Sequence, residues 1–324
     1  MSDRAKPTAD LAILILGYNR PTAMEKILLG FKRALISTNA EGMDLGGTPI
    51  HVALDGPKVD ETKKGGMPSS GDAEATRSVL ETVEKHLPEA LVLQEPRNRG
   101  LPVVILSALN RVFADARIGR VICIEDDVEL APTALTALLV TSNHLPRPHV
   151  IAAAPLRDGI PPNQCLLLTR EAHEISRPLL RDYIVTFHLD AHYGQRDHAA
   201  IRAWAAELAA RATLDNPSTA TSQDAIRLLA WRINGIPVHA LPFRLVAHRG
   251  LRGQHNTPLH ALRTGILFEK LDRRSWSTLS PPLLAWANRG GGSDEARLQL
   301  LERWCSGAMR CGYQTLRRMI GRAE

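Results

Sequence analysis

Several signatures that would settle a function quickly are missing from this chain of 324 residues. No G-x-x-x-x-G-K-[ST] and no G-x-G-x-x-G occurs, which argues against a P-loop enzyme and a dinucleotide oxidoreductase. Four cysteines, Cys123, Cys165, Cys305 and Cys311, are scattered without a Cys-x-x-Cys pair. Neither a structural zinc site nor a disulfide framework is therefore expected, and a reducing cytoplasm is the simpler setting. No apolar run has the length of a membrane span, and the polar start "MSDRAKPTAD" lacks the flanks of a signal peptide. Aromatic residues make up only 4% of the chain. A net charge of +6 and a pI of about 9.3 suit an anionic partner. The basic residues are not interleaved with aromatics into a stacking platform, so nucleic acid is not the expected partner. Internal repeats and long low-complexity tracts are absent as well.

What is present is an alternation of strand and helix. "LAILILG" (Leu11 to Gly17) is a continuous branched-aliphatic run that stops at a turn signal, "GYNRP", and so reads as a fully buried strand. Pro21 opens a helix, "TAMEKILLGFKRAL", because proline is tolerated at a first helical position. The same beat recurs with "PIHVALDG" and a helix starting near Asp72, then with "ALVLQE", the loop "PRNRGLP" and the helix "VVILSALNRVFADA", then with the strand "RVICI". Four such beats predict an α/β fold with a mostly parallel sheet flanked by helices. A helix "TALTALLVTSNHL" and a strand "HVIAAAPL" follow, and "NQCLLLT" can be a further strand. The pattern then blurs until Ser222, which can cap a helix ending near Gly235, before a strand from about Pro237. We divide the chain into a polar tail (1–10), a domain over 11–285 with halves 11–154 and 155–285, and a basic amphipathic helix over 294–322 after the linker "NRGGGSD". That helix suits packing on its own domain, a homodimer contact, or peripheral contact with an anionic membrane.

The stretch "VICIEDDVELAP" sets Glu125, Asp126 and Asp127 behind an apolar strand, although each acid raises the cost of ionising its neighbours. In open parallel sheets ligands bind outside the carboxyl ends of the strands. A divalent cation, Mg²⁺ or Mn²⁺, shared with phosphate oxygens would relieve the repulsion there. The alternative is that the acids are solvated and that Asp127 or Glu129 helps to start the next helix. Alternation along an extended backbone can send Asp126 and Asp127 to different partners. Asp55, ending "HVALDG", lies on the same predicted edge and could accept from a base imide or a ribose hydroxyl, or it could be a turn residue. Arg20 could pair with a phosphate or stack on a base.

In their order, "LAILILGYNRP", "HVALDGP", "PRNRGLPVVILSALNRVF", "VICIEDDVELAP" and "SQDAIRLLAWRINGIPVHALPFRLVAHRGLRGQH" resemble bacterial family 2-like glycosyltransferases of the GT-A fold. They are also similar to the N-acetylglucosaminyltransferase I type, with its Glu-Asp-Asp metal motif. The resemblance runs from about Leu11 to Thr257. It implies a GT-A domain that moves a sugar, with inversion, from a nucleoside-diphosphate sugar, most simply a UDP-sugar, to an acceptor hydroxyl it does not identify. Asp127 would hold Mn²⁺ or Mg²⁺, with Asp126 and Glu125 near the ribose or sugar. Asp55 would contact the base, and Gly17, Tyr18, Asn19 and Arg20 would line the nucleotide pocket. Asn98, Arg99 and Gly100 would border the donor. Asp224 falls where the family places its general base, although a first-turn role at the helix dipole fits it equally. In "AHRGLRGQH", His248 or His255 would complete the metal shell, and Arg249 or Arg252 would hold phosphate charge.

The chain departs from the family where many relatives carry a Trp-rich acceptor segment, since "TFHLDAHYGQRDHAA" offers His188, Asp190, His192 and His198 instead. A polar acceptor loop is the reading we favour over a His-x-Asp-x-His metal site. With so few aromatic residues to stack on sugar faces, a short or non-glycan acceptor is expected. The competing readings are a nucleotidyltransferase of related fold and a nucleotide-sugar-binding protein that has lost its chemistry. The first usually carries a Gly-rich basic loop after its first strand, which "GYNRP" is not.

Overall fold

A computed structural model describes residues 10–58, 70–155, 164–188, 197–212, 222–249 and 269–290. β1 (Leu11–Gly17) is the central strand, paired in parallel with β2 (Ile50–Leu54) on one side and with β4 (Arg120–Glu125) on the other. That position explains its unbroken apolar run, because a strand covered on both faces has no side to leave polar. Leu11, Ile13 and Ile15 point into one core, while Ala12, Leu14 and Leu16 point into the other. The first core is closed by α1 (Pro21–Ala40), α2 (Ser70–His86), α4 (Ala134–His144) and α8 (Trp276–Ala287). The second is closed by α3 (Leu101–Val112), α5 (Arg170–Phe187) and α7 (Gln223–Ile233), with α6 (His198–Arg211) packed outside them.

The sheet has seven strands in the order β3-β2-β1-β4-β7-β6-β8, with β3 at Leu91–Gln94, β6 at Val150–Ala152, β7 at Cys165–Thr169 and β8 at Val238–Ala240. Only β7 runs against the others. The fold is thus α/β with a mostly parallel mixed sheet between two helical layers, compatible with a Rossmann-like arrangement. A two-stranded antiparallel ribbon of β5 (Val128–Leu130) and β9 (Val246–His248) sits beside it.

Local chemistry sets the helix starts. Pro21 lies in the first turn of α1, whose Met24, Ile27, Leu28, Phe31 and Ala34 recur at helical spacing and are buried. The helix continues past Leu35 to Ala40, since the buried Thr38 satisfies its hydroxyl on the Ala34 carbonyl and meets Thr136 of α4. Ser222 caps α7, accepting from the Ala225 amide, and Thr169 caps α5 in the same way through Ala172. The blurred stretch after Pro155 contains α5, which carries Pro178 inside it, and α6. Asp10, assigned above to the polar tail, is built into the domain. Its carboxylate pairs with Arg120 and Arg147, and its carbonyl accepts from the Gly119 and Arg120 amides. Among the described residues no helix is long and apolar enough to cross a membrane. The helix expected over 294–322 lies outside the described residues.

Candidate active site at the carboxyl edge of β1 and β4

The chain order around β1 reverses at its border with β4, the kind of position at which open α/β sheets bind ligands, and the helices that follow both strands, α1 and α4, close the same core. The loop after β1 is Tyr18-Asn19-Arg20, and the loop after β4 is Asp126-Asp127. Leu16 is in register with Glu125, which sets both loops at the same level. Gly17 lies between them, where a Cβ would stand in ordinary contact, 3.6 Å, with an Asp126 carboxylate oxygen.

The acids part as the strand alternates, but not as expected between Asp126 and Asp127. Glu125 continues the face of Val121 and Cys123 toward α7, where Asp224 and Arg227 are its charged neighbours. Asp126 and Asp127 instead converge on one cation. The Arg20 guanidinium binds Asp126 Oδ1 through one nitrogen and Asp127 Oδ2, at 2.9 Å, through the other. The Tyr18 amide also donates to Asp126 Oδ2 at 3.3 Å. His248 Nε2 lies 3.3 Å from Asp127 Oδ2, carried there by the β5–β9 ribbon, which pairs Val128 with His248. Asp127 Oδ1 is buried and accepts from no described residue.

These surroundings tune each acid differently. Burial pushes the Asp126 carboxyl up to about 6 against the pull of Arg20, with the Asp127 charge adding to the rise. Burial would raise Asp127 too, but the hydrogen bond from His248 and the Arg20 charge hold it below the usual carboxylate range. Glu125 is raised well above that range by burial and by the Asp127 and Asp224 charges, with Arg227 opposing. Stacked acids are therefore tolerated here because two of them share a guanidinium and the third faces the opposite layer.

The residues expected to line a nucleotide pocket form a linked frame. Asp55 is buried, and its carboxylate accepts from the Gly56 amide at 2.9 Å, Asn98 Nδ2 at 2.9 Å, the Arg99 amide at 2.8 Å and the Gly100 amide at 2.9 Å. Four donors fill its lone pairs, so in this structure Asp55 shapes the Asn98-Arg99-Gly100 loop and has no free site for a base. Gly100 takes φ +81°, a left-handed value that glycine adopts without strain, and α3 starts directly after it. Asp72 in the first turn of α2 accepts from the Tyr18 hydroxyl at 2.6 Å, from Asn19 Nδ2 and from the Lys58 backbone amide. Asp72 ties the loop after β1 to the loop after β2, and sequence reasoning took it only for a helix start. Its one signal was an acid in the first turn of a helix that follows a β-strand loop.

No protein-family model matches the chain, and no curated protein matches it either.

On the other side of β4, Asp224 stands in the first turn of α7, capped by Ser222 and close enough to Glu125 for their charges to interact. Arg227, one turn further, is buried and lies over the Trp231 ring at 5.2 Å. Gln223 and Arg227 line a cavity of about 20 Å³ with Ile105, Leu109 and Tyr183. That is room for one water molecule. Arg249 does not reach the crevice as a free charge. Its Nε pairs with Glu129 at 2.8 Å, and its Nη1 donates to the Glu269 carbonyl at 3.1 Å. His188 is buried edge-on against Tyr183 at a ring distance of 4.6 Å, as part of an aromatic group with Phe187 and Trp204 rather than of a polar loop. Arg252, His255, Asp190 and His192 lie outside the described residues.

Whether Mg²⁺ or Mn²⁺ suits this edge can be judged from its donors. Among the described residues no group of three or more His, Cys, Asp or Glu side chains is arranged to hold a metal ion. Asp127 Oδ1 is a buried, unengaged carboxylate oxygen, and His248 sits at its partner oxygen. Mg²⁺ in nucleotide sites takes one or two carboxylates and fills its shell with phosphate oxygens and water. The donors fit a cation shared with a diphosphate, and not one held by protein alone.

Proposed function

We propose that the chain is a glycosyltransferase of the GT-A type, which binds a nucleoside-diphosphate sugar in the β1/β4 crevice and transfers the sugar, with inversion, to an acceptor hydroxyl. The observation that carries this reading is Asp127 Oδ1, a buried anionic oxygen with no described partner at a sheet switch point, flanked by Arg20 and His248. The order of sequence motifs supports it independently, as does a frame of Asp72 and Asp55 that fixes the two loops bordering the crevice.

In this reading Asp127, with His248 beside it, holds the cation, and Arg20 faces the diphosphate. Bound Mg²⁺ or Mn²⁺ neutralises the charge that builds on the departing diphosphate. Asp224 accepts the acceptor's hydroxyl proton as that oxygen forms its bond to the anomeric carbon and the bond to the nucleotide diphosphate breaks. Asp224 lies close enough to Glu125 for their charges to interact, and it stands at the start of α7 on the side of β4 away from Arg20. A UDP-sugar is the donor we propose, and the acceptor is short or non-glycan.

Calorimetric titration of UDP, GDP and dTDP, each with Mn²⁺ and with EDTA, into wild type and Asp127→Asn tests the proposal. Binding of one nucleotide that needs the metal and fails in Asp127→Asn is the expected result. Absence of binding by all three, or binding indifferent to metal and to Asp127, overturns it. Arg20 already pairs with both acids, and that observation favours a second reading, a nucleotide-sugar-binding protein without turnover. Metal-independent binding of a nucleotide sugar that is never consumed would select it.

A further inference from the structure

The carboxylate proposed to hold the metal, Asp127, is already bridged to its neighbour Asp126 by one guanidinium. Arg20 is partly buried, and it reaches across from the loop after β1 to touch a carboxylate oxygen on each of Asp126 and Asp127. Asp126 is almost wholly enclosed and takes the Tyr18 amide on its second oxygen, so it has no other charged partner among the described residues. Asp127 keeps one buried oxygen open. A bare divalent cation that approaches this oxygen meets the positive Arg20 at the other side of the same carboxylate. A cation that arrives with a diphosphate brings negative charge to which Arg20 can turn.

We infer that Arg20 is a resident counter-ion of the Asp126–Asp127 pair, and that it couples the two ligands by admitting a divalent cation together with a diphosphate rather than alone. The inference rests on the donor site proposed above and assigns Arg20 a role beyond lining it. Its size follows from charge proximity. An arginine beside a carboxylate lowers proton affinity by roughly one to three powers of ten, and a doubly charged cation at that carboxylate feels the same field. Removal of Arg20 is therefore expected to tighten binding of the bare metal by about tenfold or more. Because Arg20 also keeps two buried carboxylates paired, its loss is expected to lower stability, and a charge-retaining variant is needed beside it.

The test follows free Mn²⁺ by its spin-resonance signal during titration into wild type, Arg20→Gln and Arg20→Lys, with and without UDP. In wild type, Mn²⁺ is expected to bind weakly alone and about tenfold more tightly with UDP. Arg20→Gln is expected to take bare Mn²⁺ tightly and to lose most of the UDP effect, whereas Arg20→Lys keeps the wild-type order. Should Arg20→Gln fail to fold, the wild-type and Arg20→Lys titrations still decide. Equal Mn²⁺ affinity with and without UDP in wild type, where UDP itself binds, overturns the inference. So does a folded Arg20→Gln that binds bare Mn²⁺ no better than wild type. If UDP binds nowhere but Arg20→Gln still gains Mn²⁺ affinity, the counter-ion role stands and the nucleotide-sugar reading fails.

Discussion

Asp55 offers a sharp contest between burial and hydrogen bonding. Its carboxylate accepts four N–H donors from the β2 end and the Asn98-Arg99-Gly100 loop, yet burial is the stronger influence and pushes it from an ordinary 3.8 up to about 6. A group raised on folding contributes stability that is full below its unfolded value and is lost as pH rises through its folded value. For a rise of this size the whole loss is about 3 kcal/mol, of which about 2 kcal/mol falls between about pH 4.5 and pH 7.5. Asp55→Asn cannot ionise, so its own stability lacks this component. The stability gap between wild type and Asp55→Asn should therefore narrow by about 2 kcal/mol over that interval. Urea unfolding of both proteins at the two pH values, followed by tryptophan fluorescence, to which the buried Trp231 contributes, reads the gap directly. A gap that stays constant or widens with pH would refute the reasoning. It would mean that the four donors win and hold Asp55 ionised, as two or three backbone amides do around other buried carboxylates.

Gly56→Ala is expected to cost about 3 kcal/mol in thermal or urea unfolding, the upper end of ordinary overpacking, since the new Cβ would fall 2.4 Å from the Arg97 amide nitrogen and 2.5 Å from the Glu95 carbonyl oxygen. Both are backbone atoms, so no side chain can swing aside to make room. Asp72→Ala should weaken nucleotide affinity by about tenfold in a calorimetric titration, because Tyr18 and Asn19 lose a charged acceptor worth roughly 1.5–3 kcal/mol per hydrogen bond. Unchanged affinity would place that loop outside the site. Asp224→Asn should reduce sugar transfer by a factor of about 10² to 10⁴ while donor binding is kept. Retained turnover would remove Asp224 from the chemistry.

The first half of the fold is most readable where a strand is a continuous aliphatic run ended by a turn signal, as β1 is, or by acids, as β4 is. Leu11 to Gly17 and Arg120 to Ile124 both agree with the observed strands to within one residue. α5 was harder, since Pro178 sits inside it and polar His173 and Ser176 take buried positions on the face that also carries Ala172, Tyr183 and Ile184. α8 hides behind Pro281 and Pro282. The sense of β7 is invisible in "CLLLT", because an apolar run says that a strand is covered and nothing of its direction. At the site, residue types were legible but partners were not. Arg20 could be marked as a cation near the acids, while its bridging of Asp126 and Asp127, and the full occupation of Asp55, depend on which strands become neighbours.

The β5–β9 ribbon has a bearing on the order in which the molecule is assembled. Val128 and His248 are separated by about 120 residues of chain, and their pairing brings His248 to Asp127. The strands β1 to β4 can pair as soon as their own connecting helices are made, whereas the ribbon must close a loop that spans most of the remaining chain. A nascent or truncated protein ending before β9 would have its acids and Arg20 in place but no histidine against them. The acid edge is thus finished late, and protection of the Val128 and His248 amides from hydrogen exchange should appear after that of β1 and β4.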